Sequence, residues 1–245
     1  MCGIVGAIEL NPKNIVERVS LANKVLSHRG PDGNGIEYFK NESNHIVFAH
    51  SRLSIIDLSE LGHQPMSSKG GEYWITFNGE IYNYKEIREE LTKLGYTFES
   101  DTDTEVLLNS WIEWGSNCLT KLTGMFAFVV YDLDKRRIYC VRDAFGIKPF
   151  YYFATKERFY FSSEVPSLFL LIDEKKKLNP ASVVNYLLRS SYDVAEYTLT
   201  KGINALKPGC FLTIDLDDEL ELKEEQWWKP SIEENRNISF NDAVA

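Results

Sequence analysis

Apolar positions along the chain change period several times, and each change marks an element. Residues 3–9 are almost continuously apolar through Ile4, Val5, Ala7 and Ile8, the pattern of a mostly buried strand. Residues 14–27 place Ile15, Val19, Ala22, Val25 and Leu26 at helical spacing, with Asn14 as the expected N-cap. His28-Arg29-Gly30-Pro31-Asp32-Gly33 is a turn by its glycine and proline content. Residues 35–39 and 46–54 read as strands around a polar hairpin at 41–44, and 55–68 shows no period. Residues 73–77 form a further strand that runs into Asn78-Gly79-Glu80, a turn signature. Tyr84, Ile87, Leu91 and Leu94 predict a helix stopped by Gly95, followed by a short extended piece at 97–99.

Thr102-Asp103-Thr104-Glu105 is a capping box opening a helix through Val106, Leu107, Trp111 and Ile112 to Gly115. A second short helix is expected at 117–122. Strand pairs follow at 127–132 with 137–142, 150–154 with 158–162, and 211–215 with 221–227. Residues 165–171 and 180–188 have helical spacing, and 239–245 resembles the first turn of another helix. Many antiparallel-looking strands with few amphipathic helices predict an α+β layered domain.

Composition narrows the function. The chain has 245 residues and a net charge of −9, which argues against the basic footprint of a nucleic-acid surface. Its longest basic run, Lys175-Lys176-Lys177, follows Asp173-Glu174 and reads as a solvated turn. No apolar run approaches the roughly 18–20 residues of a membrane span, and the start reaches Glu9 too soon for a secretory signal. Cysteine at position 2 excludes myristoylation. Cys2, Cys118, Cys140 and Cys210 lie far apart, with neither zinc spacing nor a disulfide framework. A cytoplasmic protein with reduced thiols and no metal is expected, and the sequons at Asn41 and Asn237 are then incidental.

Cys2 is the first candidate for chemistry. Once Met1 is removed it carries a thiol and an α-amine whose reference pKa is about 7.7–8.0. One residue could then supply nucleophile and base; a small buried residue at a strand start is the plain alternative. Amide cleavage also needs oxyanion donors and groups that hold the substrate. Asn78-Gly79 offers a side-chain amide beside a backbone N–H, against which stands an ordinary Asn-Gly hairpin turn. Residues 80–83 lack the alternation of a returning strand, which weakens that alternative. Asp103, in the first turn of a capped helix, would be kept ionised by the helix dipole and suits an ammonium; ordinary helix-start chemistry gives the same pattern. Arg52 presents a fork suited to a carboxylate, or a structural ion pair with Asp57. His28, His45, His50 and His63 have no ligand spacing. A Cys–His dyad using His50 or His63 stays open but is not needed. Arg142-Asp143 with 145–149 either braces a site or forms a salt-bridged loop, the second being preferred.

Taken together, Cys2-Gly3-Ile4-Val5-Gly6, His28 to Gly33, Arg52-Leu53-Ser54-Ile55-Ile56-Asp57, Gly62-His63-Gln64-Pro65, Phe77 to Tyr84, Ser100 to Leu107, Gly124-Met125-Phe126-Ala127-Phe128 and Arg142-Asp143-Ala144-Phe145-Gly146 resemble one family in their order. It is the class II glutamine amidotransferase (glutaminase) domain of glutamine-dependent asparagine synthetases. Ala205-Leu206-Lys207-Pro208-Gly209 and Trp227-Trp228 look like the end of that domain. The resemblance implies an Ntn-hydrolase fold, a four-layer αββα sandwich of two antiparallel sheets, over residues 1–230. It implies that Cys2 attacks the side-chain amide of L-glutamine, that Asn78 and Gly79 form the oxyanion hole, and that Arg52, Asp103 and Glu80 hold the amino-acid head. Residues 231–245 would then begin the linker to a synthetase domain that is absent, and ATP and Mg would belong to that domain, with no cofactor in this chain. A face left bare by that domain leaves a homodimer open. Ser51 and Ala144 depart from residues common in the family, away from the implied chemistry. Three other readings remain: the same glutaminase feeding a sugar or secondary-metabolite carboxylate, a non-catalytic module that keeps the fold, and an Ntn hydrolase of another amide.

Overall fold

The first strand explains the layering. In the computed structural model, which describes residues 1–41, 43–190, 196–216 and 219–231, β1 (Gly3–Leu10) is buried on both faces. Alternate side chains of a strand point to opposite faces. Ile4 and Ile8 enter one apolar cluster and Val5 and Ala7 another, so the apolar run is continuous because both of its faces are covered.

The other elements are α1 (Ile15–Val25), β2 (Gly33–Lys40), β3 (Asn44–Arg52), β4 (Met66–Ser67), β5 (Tyr73–Ile81), α2 (Tyr84–Lys93), α3 (Asp103–Trp114), β6 (Gly124–Asp132), β7 (Arg137–Arg142), β8 (Tyr151–Ala154), β9 (Arg158–Ser162), α4 (Val165–Leu168), α5 (Pro180–Arg189), β10 (Ile203–Ala205), β11 (Cys210–Asp215) and β12 (Glu221–Gln226). The strands form two six-stranded sheets, ordered β10-β8-β9-β1-β3-β2 and β12-β11-β7-β6-β5-β4, and every pairing is antiparallel. Between them lies a core of Ile4, Ile46, Phe48, Phe161, Val129, Ile138 and Leu212. Phe161 meets Phe48 edge-on at 5.6 Å and Phe150 stacked at 5.7 Å. Each such buried ring contributes about 1.5–3 kcal/mol. The outer face of the first sheet packs on α1 and α4 through Val19, Ala22 and Leu168. That of the second packs on α2 and α3 through Ile87, Leu91, Val106 and Trp111. The result is the four-layer αββα sandwich.

Several local expectations change. Asn14 sits in a left-handed conformation (φ 50°) and makes no side-chain cap. Thr102 does cap α3, accepting from the Glu105 N–H at 3.1 Å. The Glu105 carboxylate, however, reaches past it to the N–H groups of Glu99 and Ser100 at 2.8 and 2.7 Å. The helix expected at 165–171 is confined to Val165–Leu168, and residues 115–120 form a 3₁₀ turn. β4 and β10 are too short to show a period. Most importantly, Asn78-Gly79 is no turn: β5 runs straight through it to Ile81, paired with β6. The helical turn expected at 239–245 lies outside the described residues. Among the described residues no helix is long and apolar enough to cross a membrane.

The turn after β7 is pinned by one buried carboxylate. Asp143 accepts from the backbone N–H of Phe126, Phe145, Ile147 and Lys148 at 2.9–3.2 Å. Arg142 donates to the carbonyls of Lys148, Leu206 and Gly146. Side chain-to-backbone bonds thus brace this segment. Asp143→Ala would strand buried N–H groups, each costing about 1–3 kcal/mol. Urea unfolding should show a loss of at least about 3 kcal/mol with an unchanged m-value.

Candidate functional site

A cleft of about 130 Å³ opens where β1 begins, β3 ends and β5 passes beneath them, and Cys2, Arg52, Asn78, Gly79, Glu80 and Asp103 all line it. The six residues to which the resemblance gives a role are therefore brought to one place.

The phase of β5 decides what it presents. Tyr82 N–H bonds to Thr123 O across the β5–β6 register, so even-numbered residues of β5 direct their backbone groups to β6 and odd-numbered ones direct theirs away. On that far edge β4 pairs only as far as Ile75. Beyond it, Phe77 N–H donates to Gln64 Oε1 at 2.6 Å and Ile81 N–H to Asp103 Oδ2 at 3.0 Å. Gly79 N–H lies between them on the same edge, facing the cleft. A Cβ at Gly79 would stand 2.4 Å from the Phe77 ring and 2.5 Å from Met125 O, so only glycine fits there.

Alternation also orients the side chains. Ile75, Phe77 and Ile81 face α2 and α3, which turns Asn78 and Glu80 toward the first sheet, the side on which Ile4 and, two residues earlier, Cys2 project. Asn78 is fully buried, yet neither its Nδ2 nor its Oδ1 has a hydrogen-bond partner. A buried amide left unpaired costs about 1–3 kcal/mol, and persists where a ligand completes it.

Cys2 is held on both sides. Leu53 N–H, just past β3, points at its sulfur at 3.4 Å. Arg29 Nε donates to its carbonyl at 3.0 Å while Arg29 Nη1 pairs with Glu164 at 2.9 Å. Asp32 takes the Ser54 N–H at 2.8 Å. The turn at 28–33 therefore fastens both Cys2 and the segment that covers it. Burial pushes the thiol above its usual pKa, against the Leu53 N–H and the amino terminus, which lower it; Asp103 raises it and Lys148 lowers it.

Asp103 departs from expectation. It is buried, and desolvation raises its pKa from 3.8 to about 6 despite bonds from backbone N–H groups, with Glu80 adding to the rise. Burial outweighs the helix start. Arg52 makes no ion pair with Asp57. It donates instead to the carbonyls of Ser59 and Asp57 at 2.8 and 2.6 Å, and its head lies so close to Gly62 that a Cβ there would be 2.2 Å away. A guanidinium has five N–H groups, so more remain for a carboxylate in the cleft.

His50 is fully buried, donates through Nε2 to Phe77 O at 3.0 Å, and is pushed down to about 3 by burial. It ties the two sheets together and is no base for Cys2. His63 does not line the cleft. Sequence reasoning missed three supports. Gln64 joins Phe77 to Thr104; Arg29 holds Cys2; Lys148 lines the cleft though buried. All three stand inside motifs quoted above or beside them, and the motifs were their only signal.

The family described as "Glutamine amidotransferase domain" has a model that matches residues 1–228. Asparagine synthetase [glutamine-hydrolyzing] 1 of Bacillus subtilis is 40% identical, over 91% of this chain and 35% of its own length. Asparagine synthetase [glutamine-hydrolyzing] 3 of the same organism is 34% identical, over 100% of this chain and 39% of its own. Amidase chry2 of Gibberella zeae is 32% identical over 82% of this chain and 29% of its length. This chain thus spans well under half of each of these relatives. Among solved structures, glutamine phosphoribosylpyrophosphate amidotransferase of B. subtilis superposes with a TM-score of 0.67 over 94% of this chain and 50% of that one, at 17% identity. That likeness shows the fold, an Ntn-hydrolase sandwich.

The raised pKa of Asp103 has a thermodynamic signature. A carboxyl that binds its proton more tightly in the folded chain than in the unfolded one makes stability fall as pH rises from about 4 to about 6. The fall should total roughly 2–3 kcal/mol. Asp103→Asn removes that step, so its stability relative to the native chain should improve by about that amount across the same window, measured by urea unfolding at several pH values.

Proposed function

Because the chain belongs to the glutamine amidotransferase domain family, we propose that it hydrolyses L-glutamine to glutamate and ammonia with Cys2 as nucleophile. The observation that carries this reading is the buried, unpartnered amide of Asn78 beside the edge N–H of Gly79, in the cleft that Cys2 lines. With Met1 removed, the Cys2 amine takes the thiol proton as sulfur attacks the γ-carbonyl carbon. The oxygen becomes an oxyanion that accepts from Asn78 Nδ2 and Gly79 N. The amine passes its proton to the leaving nitrogen, ammonia departs, and a γ-glutamyl thioester remains. Water, deprotonated by the same amine, attacks the thioester and releases glutamate. Arg52 receives the α-carboxylate, Asp103 the α-ammonium, and Glu80 helps to fix the head. The ammonium replaces the solvation that Asp103 lacks, so a carboxylate near pKa 6 becomes firmly ionised once substrate binds.

The destination of the ammonia is a further domain. The length of the asparagine synthetases relative to this chain supports a further synthetase portion, to which the family resemblance assigns ATP and Mg. So do Val184, Leu187 and Leu188, apolar residues of α5 left exposed, the kind of surface such a domain would cover. The free thiols fit a reducing, cytoplasmic setting. The similarity to an amidase favours a second reading, in which the same cleft hydrolyses another amide.

Glutamate release from L-glutamine by the chain, with Met1 loss checked by mass, tests the reading. Cys2→Ala should release none, and Asn78→Ala should lower kcat by about 10²–10³. Release that survives Cys2→Ala would overturn the assignment. As Asp103 takes up its proton, kcat/KM should fall below about pH 6, while kcat falls at lower pH.

A further inference from the structure

Lys148 is a buried cation to which the chemistry above gives no task. It is only 3% exposed, and burying an ammonium is costly unless something nearby benefits from it. None of the ion pairs among the described residues engages it. Its backbone is clamped at both ends: its N–H donates to Asp143 Oδ2 at 2.9 Å, and its carbonyl accepts from Arg142 Nε at 2.9 Å. Pro149 fixes the next φ. A turn held this firmly sets where the side chain begins, and Lys148 lines the cleft together with Cys2.

The charges around the pair come from every packed element. Facing Lys148 are Arg29 from the turn before β2, Cys2 at the head of β1, Glu80 of β5 and Asp143 of its own turn. Facing the Cys2 sulfur are the amino terminus, Asp103 of α3 and Lys148. Arg52 lines the same cleft. The thiol is thus opposed in its ionisation by burial and by a carboxyl that the substrate head needs nearby. With the amino terminus, Lys148 is a cation that acts in the opposite direction.

We propose that Lys148 is a positioning residue that stabilises the Cys2 sulfur as it gives up its proton and becomes anionic, its ammonium set in the same cleft by the clamped turn. The proposal rests on Cys2 being the nucleophile. The coupling is reciprocal, as it must be: Lys148 lowers the thiol pKa, and Cys2 raises that of the lysine against the lowering effect of burial.

Alkylation of the Met1-processed chain by iodoacetamide across pH, read by peptide mass at Cys2, tests this without glutamine. Cys118, Cys140 and Cys210 are buried, so Cys2 is the accessible thiol. Lys148→Met should move the alkylation midpoint up by about one unit or more, which is roughly tenfold slower reaction below the midpoint. Lys148→Arg, which keeps the charge, should restore most of the profile. Should Lys148→Met fail to fold, Lys148→Gln carries the same test. A neutral variant whose profile superimposes on the native one overturns the proposal, and so does an arginine variant that shifts like the neutral ones. Because the readout needs no hydrolysis, its failure stays distinct from a Cys2→Ala protein that still releases glutamate.

Discussion

The unpaired edge of β5 is the constraint on which the rest of the site depends. A strand edge normally exposes N–H groups that must be covered. Here β4 pairs with β5 only as far as Ile75, and the next outward N–H groups belong to Phe77, Gly79 and Ile81. Side chains cover the two outer ones, Gln64 at Phe77 and Asp103 at Ile81. Those side chains are themselves held, Gln64 by Thr104 and Asp103 by its place at the capped start of α3. The middle N–H is left for whatever enters the cleft. The bonds that satisfy the flanks thus also fix Asp103 and leave the Gly79 N–H as the donor proposed for the oxyanion.

The sandwich supplies what this edge alone could not. Cys2 comes from the first sheet and Asn78 from the second, and the two sheets are locked by a dense aromatic core and by the His50–Phe77 bond. Several features here break ordinary folding rules: an amide with no partner, a carboxyl raised to about 6, and a buried lysine. Each lowers stability, and they meet in one cleft. Clustered exceptions of this kind are expected where a structure has been kept ready for a ligand.

Much of this was legible in the sequence, for physical reasons. Strand and helix positions follow from periodicity, which depends on burial that the sandwich does impose. The chemical residues could be named because their types suit amide cleavage, and their motifs stand in a known order. What failed were local rules set against long-range forces. Asn-Gly is a strong turn signal, yet pairing with β6, some fifty residues on, carries β5 through it. The dipole at a helix start favours a carboxylate, but the burial of Asp103 is the larger effect. An ion pair with Asp57 was one of two readings of Arg52; the guanidinium instead finds backbone carbonyls in a loop without period. Arg29, Gln64 and Lys148 escaped notice because a support residue is recognised only through what it touches.

Where the oxyanion sits decides the mechanism. The aldehyde analogue of glutamine, in which the side-chain amide is replaced by CHO, should add to the Met1-processed chain as a hemithioacetal. A crystal structure of that adduct is the most direct measurement. A bond from Cys2 Sγ to the former aldehyde carbon is the expected result. Its oxygen should lie within hydrogen-bond distance of Asn78 Nδ2 and Gly79 N, with the α-carboxylate on Arg52 and the α-ammonium on Asp103. An adduct whose oxygen turns away from β5, with the Asn78 amide still unpartnered, would contradict it.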